Sequence, residues 1–152
     1  MGRLVLWSPR PDWIDGSPEV LRGAGFRRLA LANPRTAPYG AAARATLERL
    51  GLWTALEPRL VFGESVGQAF QFVSTGNAEL GFVALAQVER PGEPAGGSRW
   101  LVPAELHAPL DQQAVLLAAG QEDPAAVAFL DCLRSEPARR VIREFGYEPG
   151  GP

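Results

Sequence analysis

The stretch RLALANPRTAPYGAAARATLERLG, residues 28–51, decides the fold. Arg28 to Ala32 reads as a buried strand, closed by Asn33-Pro34, since Pro cannot continue a hydrogen-bond ladder. A helix follows from about Pro38 to Leu50. Ala43, Leu47 and Leu50 fall at i, i+4 and i+7 on one face, and Gly51 is placed to stop it. A strand that feeds a helix through a short polar turn is half of a crossover unit. The next segments repeat it: Leu60-Val61-Phe62 is a strand, Gly63-Glu64-Ser65 a turn, and about Val66 to Thr75 a helix. Val66, Ala69, Phe70 and Val73 form the apolar stripe of that helix, and Gly76-Asn77 ends it.

Further out, Leu4 to Trp7 and Leu80 to Leu85 read as apolar strands, and Asp12 to Gly25 as turn-rich with one brief helical turn after Ser17-Pro18. Pro91 to Ser98 is the best candidate loop. Trp100-Leu101-Val102 and Ala114 to Ala118 are expected as further strands. Asp123-Pro124 and Ser135-Glu136-Pro137 are capping sequences for two last helices, with Ala126, Phe129, Leu130 and Leu133 on one apolar face and Ala138, Val141, Ile142 and Phe145 on the other. The order strand, helix, strand, helix, strand predicts an α/β sheet with parallel neighbours.

Composition excludes several classes of function. At 152 residues, with 46 % hydrophobic and 21 % charged, the chain can bury a core and is not disordered wholesale. A net charge of −2 argues against a dedicated nucleic-acid binder, which needs a clustered basic surface. All fifteen basic residues are Arg, which together with abundant Ala, Gly and Pro reads as codon bias. No apolar run reaches the roughly 18 residues of a membrane helix, and Met1 to Leu6 lack the length and cleavage pattern of a signal peptide. One Cys and one His, Cys132 and His107, are too few for a zinc site of the usual kind.

Both strand-to-helix junctions, at Pro38-Tyr39-Gly40 and at Ser65-Val66-Gly67, open a helix with no acidic residue in the first turn. Such a tip has unpaired N–H groups and a partial positive charge, so it suits an anion. Open α/β sheets hold ligands beyond the carboxyl ends of their strands, where both tips belong; the plain alternative is two ordinary connections. Chemistry of other kinds finds less support. Cys132, between Leu130 and Leu133, reads as a small buried hydrophobe with nothing nearby to activate it. His107 sits among Pro103, Leu106 and Pro109 without a partner, and Glu57, Glu64, Glu79 and Glu105 show no paired spacing and default to solvated positions. GEPAGG, residues 92–97, lacks the GK[ST] of a phosphate loop, and Arg134, Arg139, Arg140 and Arg143 alternate with Glu136 and Glu144 on solvated faces. Nothing points to an enzyme, a catalytic residue or a metal.

Several strings together resemble a known family. LALANPRTAPYGAAARATLERLGLW (29–53), GESVGQAFQFVSTGNAELGFVALAQV (63–88), the W-x-V-P of Trp100 to Pro103, PLDQQAVLL (109–117) and FLDCLRSEPARRVIREFGYE (129–148) resemble the periplasmic molybdate-binding proteins of ABC transporters, which are type II periplasmic binding proteins. The resemblance implies a two-lobed α/β fold with helices on both sheet faces that closes on molybdate or tungstate. It implies no enzymatic activity and no cofactor beyond that oxyanion ligand. The anion is held by neutral hydroxyl and backbone donors, and sulfate is rejected mainly by cavity size. Carried onto this chain, the main-chain N–H groups of Tyr39 and Val66 would each bond an oxyanion oxygen. Some members place a Tyr hydroxyl on the anion where this chain has Ala84.

The resemblance implies a further segment before the position matched by Met1, with Ser or Thr donors, and this segment is expected to be missing here. The expected division is then a complete second lobe, residues 4–98, and a return segment with the terminal helices of a truncated first lobe, residues 99–152. Two consequences are expected: weak or no molybdate binding by the chain alone, and an exposed apolar patch at Phe129, Leu130, Leu133, Val141, Ile142 and Phe145 covered in a homodimer or swapped assembly. The resemblance further implies a periplasmic location and an ABC permease as partner, with no nucleic acid. The alternative reading is the ligand-sensing effector domain of a transcription regulator with the same fold; a small enzyme using Cys132 or His107 stands third.

Overall fold

Leu4–Ser8 (β1), Leu29–Ala32 (β2), Leu60–Gly63 (β3), Leu80–Ala84 (β4) and Ser98–Leu101 (β5) form one sheet in the order β3-β2-β4-β1-β5. The computed structural model describes residues 1–89, 92 and 96–148. The helices are Pro38–Arg49 (α1), Trp53–Leu56 (α2), Val66–Ser74 (α3), Leu85–Val88 (α4), Pro124–Arg134 (α5) and Glu136–Glu144 (α6), with a short 3-10 turn at Glu19–Arg22. Of the loop expected at 91–98, residues 91 and 93–95 lie outside the described residues.

Parallel pairing holds where a helix makes the crossover. β2 pairs with β3 from Leu29↔Leu60 to Ala32↔Gly63, and with β4 from Leu29↔Leu80. β1 departs from the expected parallel arrangement: it runs antiparallel to both β4 and β5. The α1 and α3 connections carry the chain back to the starting edge of the sheet, which forces the next strand to run the same way. No comparable helix links β1 to either neighbour, so that constraint does not reach it.

The sheet is covered on both faces. In β1, Leu4 and Leu6 join the cluster of Leu29, Leu31, Phe82 and the α1 residues Ala43 and Leu47. Val5 and Trp7, pointing the other way, join Ala30, Val83 and the α3 residue Val73. This period-two split between two apolar layers explains why β1, β2 and β4 are buried along their whole lengths. Gly51, Gly76 and Gly146 follow α1, α3 and α6 with φ of +69°, +77° and +75°, the left-handed conformation that ends a helix at least cost in glycine.

The carboxyl-terminal third corrects two expectations. Ala114 to Ala118 forms no strand; Val115 and Leu117 are 80 % and 71 % exposed, and a 3-10 turn takes over at Ala118. A strand needs a neighbour for its amides and carbonyls. The described residues offer 114–118 none; the one isolated bridge nearby lies outside the segment, where the Gly2 N–H donates to the Leu110 carbonyl at 2.7 Å. Cys132 is exposed instead of buried, because α5 packs on α6 and presents the rest of its surface outward. Neither α5 nor α6 contains a buried residue, although the expected caps form: Asp123 accepts from the Ala125 N–H at 2.9 Å, and Ser135 from the Ala138 N–H at 3.4 Å.

Candidate functional site

The two helix tips stand at one edge of the sheet, on opposite faces of it. β2 and β3 end side by side at Ala32 and Gly63, and the Asn33 N–H donates to the Gly63 carbonyl at 2.7 Å, extending the register into the turn. α1 then packs on the face holding Leu29 and Leu31, and α3 on the face holding Ala30. Val66 nonetheless packs against the cluster containing Tyr39, because its side chain reaches around the sheet end.

Local chemistry consumes most of the amides around each tip and spares those in it. Before α1, the Thr36 and Ala37 N–H groups donate to the Asn33 carbonyl and the Arg35 N–H to Asn33 Oδ1. Pro38 has no N–H, and Ala41 donates to the Ala37 carbonyl at 3.0 Å. Tyr39 and Gly40 remain, with no acceptor among the described residues. Before α3, the Glu64 N–H donates to Gln68 Oε1 at 2.6 Å, the Gln68 N–H to Ser65 Oγ at 3.2 Å and the Ala69 N–H to the Ser65 carbonyl. Val66 and Gly67 remain, as does the Ser65 N–H just before them, again with no acceptor among the described residues. Neither first turn contains an acidic residue. The positive helix ends are therefore uncompensated, and the four amides suit an anion held by hydrogen bonds.

Two residues that the sequence reading passed over hold the second tip in place. Gln87, in α4, accepts from the Ala84 N–H at 3.0 Å through Oε1 and donates to the Val66 carbonyl at 3.4 Å through Nε2. It ties the end of β4 to the peptide that opens α3. Gly63 lets α3 sit directly on the strand end, since a Cβ there would lie 2.9 Å from the Ala69 nitrogen. Alternation and helical period carry no signal for either role; only the close approach of backbone to backbone does.

Tyr39 is 9 % exposed, and its hydroxyl has no hydrogen-bond partner. Burial pushes its pKa up to about 12, with a smaller contribution from Tyr147. Ala84 is buried at the end of β4 and offers no hydroxyl. Glu79 is not the free acid expected of it. Its Oε2 accepts from the Arg27 and Arg28 N–H groups at 3.2 and 2.9 Å, at the edge of the sheet opposite the tips. His107 lies in the loop after β5 with Nδ1 2.7 Å from the Ala108 carbonyl, and no cluster of His, Cys, Asp or Glu able to hold a metal occurs among the described residues. A separate cleft of about 410 Å³, lined by Gly2, Leu4, Val102, His107 and Leu110 among others, includes neither Tyr39 nor Val66. Among the described residues, no helix is long and apolar enough to cross a membrane.

Residues 1–148 match the family of bacterial extracellular solute-binding proteins. The chain belongs to that family. It is 51 % identical over 147 residues to the molybdate-binding protein ModA of Azotobacter vinelandii, covering 97 % of this chain and 58 % of that protein. It is 47 % identical over 147 residues to ModA of Rhodobacter capsulatus, covering 97 % of this chain and 57 % of that protein. The solved structure of the Azotobacter vinelandii periplasmic molybdate-binding protein superposes with a TM-score of 0.93 at 39 % identity, over 99 % of this chain and 66 % of that one. These relatives are named for binding, not for catalysis. The family places the α/β sheet with helices on both faces among solute-binding folds, as the resemblance implied. The chain spans less than three fifths of the length of the curated relatives it matches.

Proposed function

We propose that this chain is an oxyanion-binding module of an ABC import system, taking molybdate or tungstate at the amides of Tyr39 and Val66. The observation that carries the proposal is the pattern of spent and unspent donors: around the tips the N–H groups of Arg35, Thr36, Ala37 and Ala41, and of Glu64, Gln68 and Ala69, have partners, and the amides at Tyr39-Gly40 and Val66-Gly67 have none among the described residues. Fixed neutral dipoles suit a tetrahedral dianion, whose charge they share without a proton that could be transferred to it. The similarity to molybdate-binding proteins supports the choice of ligand, and with it a periplasmic setting and a permease as the partner that receives the ligand.

In this reading residues 4–98 form the lobe that carries both tips, and residues 99–152 return from it. Donors on one wall leave the far side of the anion in water, where high dielectric weakens each bond, so the affinity of this chain alone is low. The exposed side chains of Phe129 and Val141, on helices with no buried residue, and of Phe145 just after α6 favour a second copy packed on α5 and α6. Light scattering giving a monomer with both helices protected from exchange would count against that assembly.

The site is tested by amide NMR during titration with molybdate, tungstate and sulfate, on the wild-type chain and on Val66→Pro. Proline is tolerated at the first helical position, and Ser65 before it is already extended (φ −141°, ψ 166°), so the substitution removes the N–H and leaves α3 standing. Molybdate should move the amides of Tyr39, Gly40, Val66 and Gly67 in the wild type, and the shifts should largely vanish in the variant. Unmoved tip amides at millimolar molybdate, in a folded chain, would refute the assignment.

A further inference from the structure

The amide of Tyr39 belongs to the proposed site, but its side chain points elsewhere and has an unmet need. Among the buried side-chain polar atoms of the described residues, the Tyr39 hydroxyl alone lacks a hydrogen bond. An unpaired buried hydroxyl is costly, and a single-state structure gains nothing by keeping one. Its surroundings show what it faces. A Cβ at Gly2 would stand 2.1 Å from Tyr39 Oη and 3.6 Å from Gln112 Nε2, so phenol, glycine and carboxamide converge on one spot. Gly2 is bridged to Leu110, two residues before Gln112. Residues 1–3 lead into β1, and residues 110–112 run beside them. The phenol thus sits beneath two adjacent, antiparallel stretches of chain while its own peptide forms the tip of α1. Gln112 is exposed and makes no side-chain hydrogen bond among the described residues.

We infer that Tyr39 is a positioning residue for oxyanion binding: its hydroxyl takes the Gln112 carboxamide as partner in the anion-bound state, coupling the α1 tip to the paired stretches at Gly2 and Gln112. The inference rests on the oxyanion reading above. The hydroxyl has no partner among the described residues; in this proposal a small movement of residues 110–112 on anion binding brings the amide to it. The hydroxyl therefore costs stability in one state and contributes it in the other, a signature that a residue with a purely structural role does not have.

The test compares wild type, Tyr39→Phe, Gln112→Ala and the double variant, by thermal melting without ligand and by NMR titration with molybdate. Tyr39→Phe keeps the backbone N–H and the ring, so only the hydroxyl is removed. The ligand-free melting temperature of Tyr39→Phe should stay level or rise, while its molybdate affinity falls about fivefold, the worth of one hydrogen bond. Gln112→Ala should show the same loss, and the double variant no more than either single one. Single variants that bind like wild type would overturn the coupling and leave the tip amides standing, provided Val66→Pro still abolishes the shifts. Losses that multiply in the double variant would overturn the pairing with Gln112. If Val66→Pro binds as wild type does, the oxyanion reading fails and the coupling fails with it.

Discussion

Gly40 lies so close to the end of β2 that a Cβ on it would stand 2.3 Å from the carbonyl oxygen of Ala32. No atom fits there. The α1 tip can therefore approach the strand it follows only because residue 40 has no side chain. Gly40→Ala should push the tip outward and destabilise the chain by about 1–3 kcal/mol, the usual cost of overpacking. Chemical denaturation measures this directly; a loss below about 0.5 kcal/mol would mean that the tip yields freely and is poorly held as a donor.

Ser65 caps α3 by accepting the Gln68 N–H at 3.2 Å. Ser65→Ala should cost about 1 kcal/mol of stability and weaken oxyanion binding, since the freed Gln68 amide no longer helps to define the tip. Melting together with molybdate titration checks both parts. Unchanged stability would show that Gln68, which also accepts the Glu64 N–H, suffices to hold the turn.

Tyr39 should govern alkaline unfolding. Its folded pKa of about 12 lies above the ordinary 10.0, chiefly through burial. The neutral phenol is thus favoured in the folded state, and its contribution is whole below pH 10 and lost as pH rises towards 12. The loss should amount to about 1–3 kcal/mol. With no lysine in the chain, few other groups titrate in that window. Denaturation midpoints measured from pH 9 to 12 should fall in the wild type and stay flatter in Tyr39→Phe; parallel curves would contradict the burial of the phenol.

Glu79 should act at the other end of the scale. Burial alone would raise its pKa, but hydrogen bonds from the Arg28 and Arg27 backbone and from the Arg27 side chain outweigh that and hold it below the ordinary 4.5. Its contribution is present above about pH 4.5 and lost as pH falls through the lowered folded value. Glu79→Gln should cost about 1 kcal/mol at pH 7 and flatten the acid limb of the stability profile. A variant as stable as wild type at pH 7 would mean that the carboxylate is exchangeable with solvent at this turn.

Much of this was legible in the order of residues. The βα units at 28–50 and 60–75 formed where apolar period, caps and glycine stops agreed, and both helix tips began without an acidic residue. These signals are local: each depends on residues within a few positions, where backbone sterics and capping act. Legibility failed where a partner distant in sequence decides. Ala114 to Ala118 has the composition of a strand but meets no ladder among the described residues, and Cys132, read beside an apolar stripe, is exposed although α5 packs on α6. Glu79 reads as a lone surface acid until the fold brings the Arg27-Arg28 backbone to it.

The sequence by itself determined the two βα units at 28–50 and 60–75, where the two tips begin and that their first turns contain no acid, because those properties reside in short-range sterics and hydrogen bonding. Tertiary structure alone decided that β1 runs antiparallel, that Gln87 clamps the Val66 peptide, and that the Tyr39 hydroxyl is sealed beside Gly2 and Gln112. Each of those depends on the distance between atoms far apart along the chain, which only the packing of both apolar layers around one sheet sets.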